Sequence, residues 1–323
     1  MKQNFRIPAA IIACLMLVVV VIFLFREHAN KKSNDAPSER SVNVVVPAKL
    51  RATHQANNEV NSKNLAPGLP PASGLTWLTE YANTASLKAF FDKYKDAPTN
   101  STERYPAEFA FQRCAHVGIL GPDRYLRSSL AKLEQSQASV EERRLYRNAT
   151  DRFVARCKDF HGAMTGDQLK ERNAQLLRFP SLEAQADQLA ERIRTTGVNG
   201  FRADADKLLI SNNPLVMVNL SAAWEEAIRR DRGEFSGTLF SDVPEDVAAA
   251  AWRLAACEMG WECGTENELV VEACLTAIQC NAASLNDLYQ KYQFSPERYN
   301  QITKARDGIL LGLRTKNYDQ LRK

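Results

Sequence analysis

The chain has 323 residues, of which 45% are hydrophobic and 25% charged, and its formal net charge is +4. The basic excess lies near the amino terminus: residues 1–75 hold nine Lys and Arg against four Asp and Glu, and the remainder holds 33 against 34. A nucleic-acid-binding protein would present a basic face or stripe, so the near-neutral remainder argues against that class. Frequent Leu, Ala and charged residues with sparse Gly favour helices.

The longest apolar segment, residues 7–25, carries no charge. At about 1.5 Å per residue, a helix of this length matches the roughly 30 Å core of a bilayer. A cleaved signal peptide would have a shorter apolar core and a small-residue cleavage site, which the sequence after Phe25 does not offer. Residues 11–14 resemble a lipobox around Cys14, but most of the apolar core follows that cysteine. We therefore predict an uncleaved transmembrane anchor after a short tail, residues 1–6.

Basic flanks do not orient this anchor, because two basic residues precede it and three follow it, a near tie under the positive-inside rule. Six cysteines follow Cys14, and they are Cys114, Cys157, Cys257, Cys263, Cys274 and Cys280. An even number is typical of a disulfide framework, and disulfides persist in oxidising compartments. We expect a single-pass protein of the bacterial inner membrane with its carboxyl-terminal domain in the periplasm. Six reduced thiols in a cytoplasmic domain are the alternative.

Residues 26–74 are polar and turn-rich, with Pro67, Pro70 and Pro71 near their end. Such composition buries too little apolar surface to offset its ordering entropy, so we predict a disordered tether. One β-prone run, residues 42–47, interrupts it. This run either adds a strand to the sheet of a partner or is an apolar piece of linker.

From Leu75 onward the apolar residues recur at helical spacing, as in Leu87, Phe90, Phe91 and Tyr94. A longer helix is predicted over 139–160, with an apolar stripe formed by Tyr146, Ala149, Phe153, Cys157 and Phe160. Further helices are predicted near 167–178, 181–196, 201–210 and 213–230. No stretch alternates with period two, so we expect little or no sheet.

The last third is the clearest part of the helical pattern. A capped start at Asp242 leads into a helix that ends near Gly260, and further helices are expected over 266–278, 284–292 and from Ser295 onward. The fold class predicted for 75–323 is therefore all-α, with helical hairpins stacked as an irregular α-solenoid or bundle and a disulfide-linked hairpin at about 242–323. A compact multi-helix bundle fits equally well, and no 34-residue period indicates a regular repeat array.

The run ACEMGWEC at residues 256–263, followed by Cys274, Cys280 and the helix start at Ser295 and Pro296, resembles the end of a group of uncharacterised exported bacterial proteins. The resemblance covers roughly residues 249–323 and extends more weakly over 75–157. It implies an exported compartment and a helical fold, and it implies no particular activity.

The last four cysteines follow the pattern C-x5-C-x10-C-x5-C. Zinc ligands usually come in pairs two to four residues apart, and a C-x-x-C redox motif is absent, so disulfides are favoured over metal or free thiols. In a continuous helix, residues six apart are separated by about 9 Å, too far for a disulfide. We therefore expect cross-links between the two helices, with the nested and crossed pairings both open.

Cys114 and Cys157 are predicted to form the third disulfide, because Cys157 lies on the apolar stripe of its helix. A Cys2His2 metal site with His116 and His161 is the alternative. However, residues two apart, such as Cys114 and His116, point in different directions on a helix.

The sequence contains no G-x-S-x-G elbow, no P-loop and no H-E-x-x-H motif, and no cofactor is predicted. The carboxylate pairs Glu141-Glu142, Glu225-Glu226 and Glu245-Asp246 are explained more simply as helix-surface charges than as a glycosidase pair. Two classes of function stay open. One is a non-catalytic, membrane-anchored helical protein that binds another envelope protein or peptide, which we favour. The other is an envelope enzyme with an unidentified catalytic carboxylate.

Overall fold

A computed structural model describes residues 76–98, 101–176 and 179–322. Of these residues 74% are helical and none lies in a strand, so the predicted all-helical domain is confirmed. Within the same ranges, no helix is long and apolar enough to cross a bilayer. The predicted anchor at 7–25 and tether at 26–74, including the β-prone run, lie outside the described residues.

The first part of the described chain packs around a core of aromatic rings. Its helices are α1 (Thr76–Asn83), α2 (Leu87–Tyr94), α3 (Tyr105–Arg113), α4 (Ala115–Leu120), α5 (Pro122–Glu134), α6 (Val140–Cys157) and α7 (Gly166–Leu176). Trp77 and Tyr81 of α1 both meet the ring of Phe109 on α3 edge-on, with ring centroids 5.5 and 5.1 Å apart. Such edge-to-face pairs add to the apolar area that the rings bury, and they fix α1 against α3.

The second part packs around another core. Its helices are α8 (Leu182–Thr196), α9 (Phe201–Leu209), α10 (Pro214–Arg230), α11 (Glu245–Glu258), α12 (Glu268–Ala277), α13 (Leu285–Leu288), α14 (Pro296–Thr315) and α15 (Asp319–Arg322). Helix α10 packs against both α8 and α11, and α11 also packs against α14. Trp224 of α10 stacks on Trp252 of α11 with centroids 5.3 Å apart. Leu78 and Val218 contact both cores and join them.

Local capping explains why several predicted helix starts are confirmed. Ser139 and Glu142 form a capping box at α6, in which the Ser139 hydroxyl accepts from the Glu142 amide at 3.2 Å and the Glu142 carboxylate accepts from the Ser139 amide at 2.9 Å. The Asn213 side chain accepts from the Leu215 amide at 2.9 Å, beside Pro214 in the first turn of α10.

The predicted apolar stripe of α6 is correct only in part. Tyr146 and Cys157 are buried, but Ala149 and Phe153 are only partly so, and Thr150 and Val154 are buried as well. The cause is that α6 packs against both α5 and α12, which widens its buried face beyond a single stripe.

Candidate functional site

The disulfide predicted between Cys114 and Cys157 is present, with the two Cα atoms 5.2 Å apart and both residues fully buried. It joins the end of α3 to the end of α6. Because these cysteines bond to each other, they do not form a Cys2His2 site. His116 is exposed, and the His161 ring lies 3.4 Å from the Gly118 carbonyl oxygen.

The other four cysteines pair within the segment 257–280, but the predicted cross-links between two helices are wrong. Cys257 bonds to Cys263 and Cys274 bonds to Cys280, each across a sequence separation of six. Helix α12 ends at Ala277, and Ile278 follows in the left-handed conformation at φ 61°. The chain therefore turns back between Cys274 and Cys280. The separation of about 9 Å expected for residues six apart holds only in a continuous helix, so it does not prevent this pairing.

The most developed polar site in the described part of the chain is built on Glu108 of α3. This residue is fully buried, and its Oε1 atom accepts from Arg104 Nε at 3.2 Å and from Arg172 Nη1 at 2.7 Å. Its Oε2 atom has no hydrogen-bond partner among the described residues. One carboxylate thus holds two guanidinium groups, one from the preceding turn and one from α7.

The guanidinium of Arg172 is also fixed by aromatic rings. Its central carbon lies 5.1 Å from the ring centroid of Phe91 and 4.7 Å from that of Phe111, within the range of a cation–π contact. Arg104 gains a second anchor, because its Nη1 atom donates to the Ala97 carbonyl at 3.2 Å. Both cations are therefore held in place before any ligand arrives.

A cleft of about 510 Å3 opens above this pair. It is lined by Lys88, Phe91, Asp92, Lys95, Asp96, Arg104, Phe111, Phe160, Ala163, Gln168 and Arg172, and we call it the Arg104–Arg172 cleft. Four lining residues are basic and two are acidic. Lys88 and Lys95 both bind Asp92, at 2.5 and 3.0 Å, and their hydrogen bonds lower the pKa of the Asp92 carboxyl. Asp92 is therefore ionised and forms ion pairs with Lys88 and Lys95.

A second polar cluster lies between the two cores and centres on Asp187 of α8. Tyr105 of α3 donates its hydroxyl proton to Asp187 at 3.4 Å, and the Asn219 amide of α10 donates to the Tyr105 oxygen at 3.1 Å. Burial raises the pKa of Asp187 to about 7; the hydrogen bond from Tyr105 opposes this shift, and the charge of Glu183 on the same helix adds to it. This carboxyl lies where α3, α8 and α10 meet.

Glu268, the first residue of α12, is a second carboxyl with a strongly raised pKa among the described residues. Burial raises the pKa of its carboxyl to about 7, although the charges of Arg113 and Arg156 oppose the shift. Arg113 donates to the Glu268 carbonyl at 3.2 Å. Neither Glu268 nor Asp187 lines the Arg104–Arg172 cleft; both are built into contacts between helices.

Five of the six residues in the predicted carboxylate pairs form ion pairs or a helix cap, and Glu225 is partly buried on α10. Glu141 binds Arg144 at 2.6 Å on the surface, and Glu142 belongs to the capping box. Glu226, in contrast to the prediction, is buried, and Arg230 binds it at 2.6 Å. Glu245 and Asp246 pair with Arg232 and Arg298.

The sequence reasoning missed Glu108, Arg172 and Asp187. One signal was present: Glu108 is the only charged residue in the run YPAEFAF that opens α3, and a lone carboxylate among apolar residues needs a buried partner. Comparison with protein families, with curated proteins and with solved structures finds no match.

Proposed function

We propose that the protein is a membrane-anchored, non-catalytic interaction protein of the cell envelope, which binds a segment of another protein or a peptide in the Arg104–Arg172 cleft. In this proposal residues 7–25 are the anchor, residues 26–74 are the tether, and the helical domain lies in the periplasm as an irregular stack or bundle of helical hairpins. The apolar run, the paired cysteines and the resemblance to exported bacterial proteins support the location.

One observation carries the binding function: the cleft is lined by two arginines whose positions are set by the buried carboxylate of Glu108. Its volume, about 510 Å3, falls in the roughly 300–1,000 Å3 range of ligand pockets. Aromatic rings form part of its wall and charged groups line it. Ligand pockets are usually lined by apolar side chains with a few placed polar groups, whereas most residues that line this cleft are charged or polar and its phenylalanine rings are buried. Recognition in this cleft therefore depends chiefly on charge.

The alternative, an envelope enzyme that uses a carboxylate, draws on the raised pKa values of Asp187 and Glu268. A pKa of about 7 suits general acid–base catalysis, but such a group must also reach its substrate within hydrogen-bond distance. Asp187 is engaged with Tyr105 inside a helix contact, and neither acid lines the cleft. The binding function is therefore the better supported of the two.

A selection of random twelve-residue peptides displayed on phage, carried out on the purified full-length chain in detergent, tests the proposal. Peptides that bind in the cleft should lose binding to Ala163→Trp, because Ala163 lines the cleft and is exposed. The matched control is Ala283→Trp, at an exposed alanine that does not line the cleft.

The expected result is a set of enriched peptides that bind the native chain and the Ala283→Trp variant but not the Ala163→Trp variant. If no enriched peptide distinguishes the two tryptophan variants, the cleft is not the binding site and the proposal fails.

A further inference from the structure

We infer that the group recognised in the Arg104–Arg172 cleft is a single carboxylate of a peptide segment, bound by the guanidinium of Arg172. The inference rests on the proposed function, because it names the ligand chemistry of the same cleft. Four features carry it: the remaining donors of Arg172, the contact of its guanidinium with two aromatic rings, the burial of Glu108 and the charge balance of the lining.

Arg172 has hydrogen-bonding capacity to spare. A guanidinium carries five N–H donors in a planar fork, and the bond from Nη1 to Glu108 uses one of them. The Arg172 side chain is 26% exposed and lines the cleft. A planar fork matches the two oxygens of a carboxylate in a bidentate arrangement.

The ring centroids of Phe91 and Phe111 lie 5.1 and 4.7 Å from the guanidinium carbon of Arg172, and together with the bond to Glu108 these rings restrict the side chain. An arginine free in solvent would lose rotamer entropy when it binds an anion. Arg172 has already lost part of that freedom in the folded protein. It is therefore pre-organised for an anion that enters the cleft.

The burial of Glu108 is explained by this role better than by stability alone. A buried ion pair is often no more stable than apolar side chains of the same volume, so stability does not require a carboxylate at this position. Glu108 acts as a positioning residue that holds both guanidiniums on one oxygen. Two cations on one anion leave one positive charge uncompensated at the floor of the cleft.

The charge balance favours a monoanion over a phosphate. The lining contributes four basic and two acidic residues, and the buried Glu108 beneath it brings the balance to +1. One carboxylate neutralises this charge, whereas a phosphate with about −1.5 to −2 charge would exceed it and would also face Asp92 and Asp96.

Isothermal titration calorimetry on the full-length chain in detergent micelles tests the inference with two matched probes. The first is N-acetyl-glutamyl-phenylalaninamide, which carries one carboxylate, and the second is its glutaminyl counterpart, which carries none. The carboxylate probe should bind at least tenfold more tightly than the amide probe. Arg172→Gln should abolish this preference, and the control Arg314→Gln, at an exposed arginine of α14, should retain it.

Arg172→Lys keeps the charge and removes the fork, so it decides the question if Arg172→Gln does not fold. A several-fold loss of affinity for the carboxylate probe in Arg172→Lys supports the inference, and unchanged affinity overturns it. Equal affinity of the native chain for both probes overturns it too, as does tighter Arg172-dependent binding of inorganic phosphate. Cleft-dependent phage peptides without any carboxylate would leave the proposed function standing while this inference fails.

Discussion

Oε1 of Glu108 lies 2.7 Å from Nη1 of Arg172, although the two residues are 64 positions apart in the chain. The carboxylate is almost completely buried, with 1% of its side chain exposed. This contact attaches α7 to α3 and at the same time shapes the floor of the cleft. Stability and the proposed binding therefore depend on the same atoms.

Replacing Glu108 with Ala should destabilise the protein strongly. The substitution leaves Arg104 and Arg172 without their carboxylate, and breaking a buried ion pair costs about 3–5 kcal/mol. For a domain of this size, about 3 kcal/mol corresponds to a fall of roughly 6–12 °C in melting temperature. Differential scanning calorimetry measures this fall in melting temperature.

Glu141→Ala is the matched control, since it breaks an ion pair with Arg144 in which both side chains are more than half exposed. Exposed pairs contribute little, so its melting temperature should stay at the native value. A Glu108→Ala variant as stable as the control would contradict the structural role assigned to Glu108.

Peptide mapping should recover the pairings Cys257–Cys263 and Cys274–Cys280. Cleavage after glutamate, without reduction, separates the two pairs because Glu266, Glu268 and Glu272 lie between Cys263 and Cys274. Under the observed pairing, the peptide that ends at Glu258 stays linked to the one that carries Cys263. Cys274 and Cys280 stay within one peptide. Any peptide that links Cys257 or Cys263 to Cys274 or Cys280 would contradict the structure.

The helices were predictable from the sequence because their signals are local. Ser139 with Glu142 and Asn213 with Pro214 mark helix starts within three residues of one another. The disulfide pairing at the carboxyl-terminal end was not predictable in this way. It depends on Ile278 in the left-handed conformation, which is rare for a β-branched residue, so local propensity gives no reason to end α12 there.

Only one feature of the candidate site was predictable from the sequence. An isolated Glu108 among apolar residues indicates that a buried partner exists, but sequence spacing does not say which of many arginines supplies it. Arg172 reaches Glu108 through packing of α7 on α3, and Tyr105 reaches Asp187 from 82 residues away. Contacts between residues so far apart in the sequence depend on the tertiary fold. The helical spacing of apolar residues does not specify that fold.

The proposed location in the periplasm makes a prediction for reporter fusions in a bacterial host. The paired cysteines favour an oxidising compartment. Alkaline phosphatase, fused after Lys323, should therefore be active, and green fluorescent protein exported by the same route should not fluoresce. The reverse pattern would place the carboxyl terminus in the cytoplasm and would contradict the proposed location. Immunoblotting of both fusions controls for their expression.

The contribution of Asp187 to the stability of the protein should fall as the pH rises from about 4 to about 7. Burial raises the pKa of this carboxyl from 3.8 to about 7, so below about pH 4 it is protonated in both the folded and the unfolded chain. Between about pH 4 and about pH 7 the unfolded chain has lost the proton and the folded chain retains it. The part of the free energy of unfolding that Asp187 contributes therefore decreases with pH across this interval and becomes level above it.

Asp187→Asn isolates this contribution, because the amide oxygen can still accept the hydrogen bond from Tyr105 but does not titrate. Urea denaturation at several pH values between about 4 and about 8 should show a smaller decline for the variant than for the native chain. Part of the decline should remain, because burial raises the pKa of Glu268 to about 7 as well. Asp167→Asn, at a carboxylate that is 99% exposed, should follow the native curve. Parallel curves for Asp187→Asn and the native chain would show that Asp187 is ionised in the folded protein across this range, and would contradict the raised pKa.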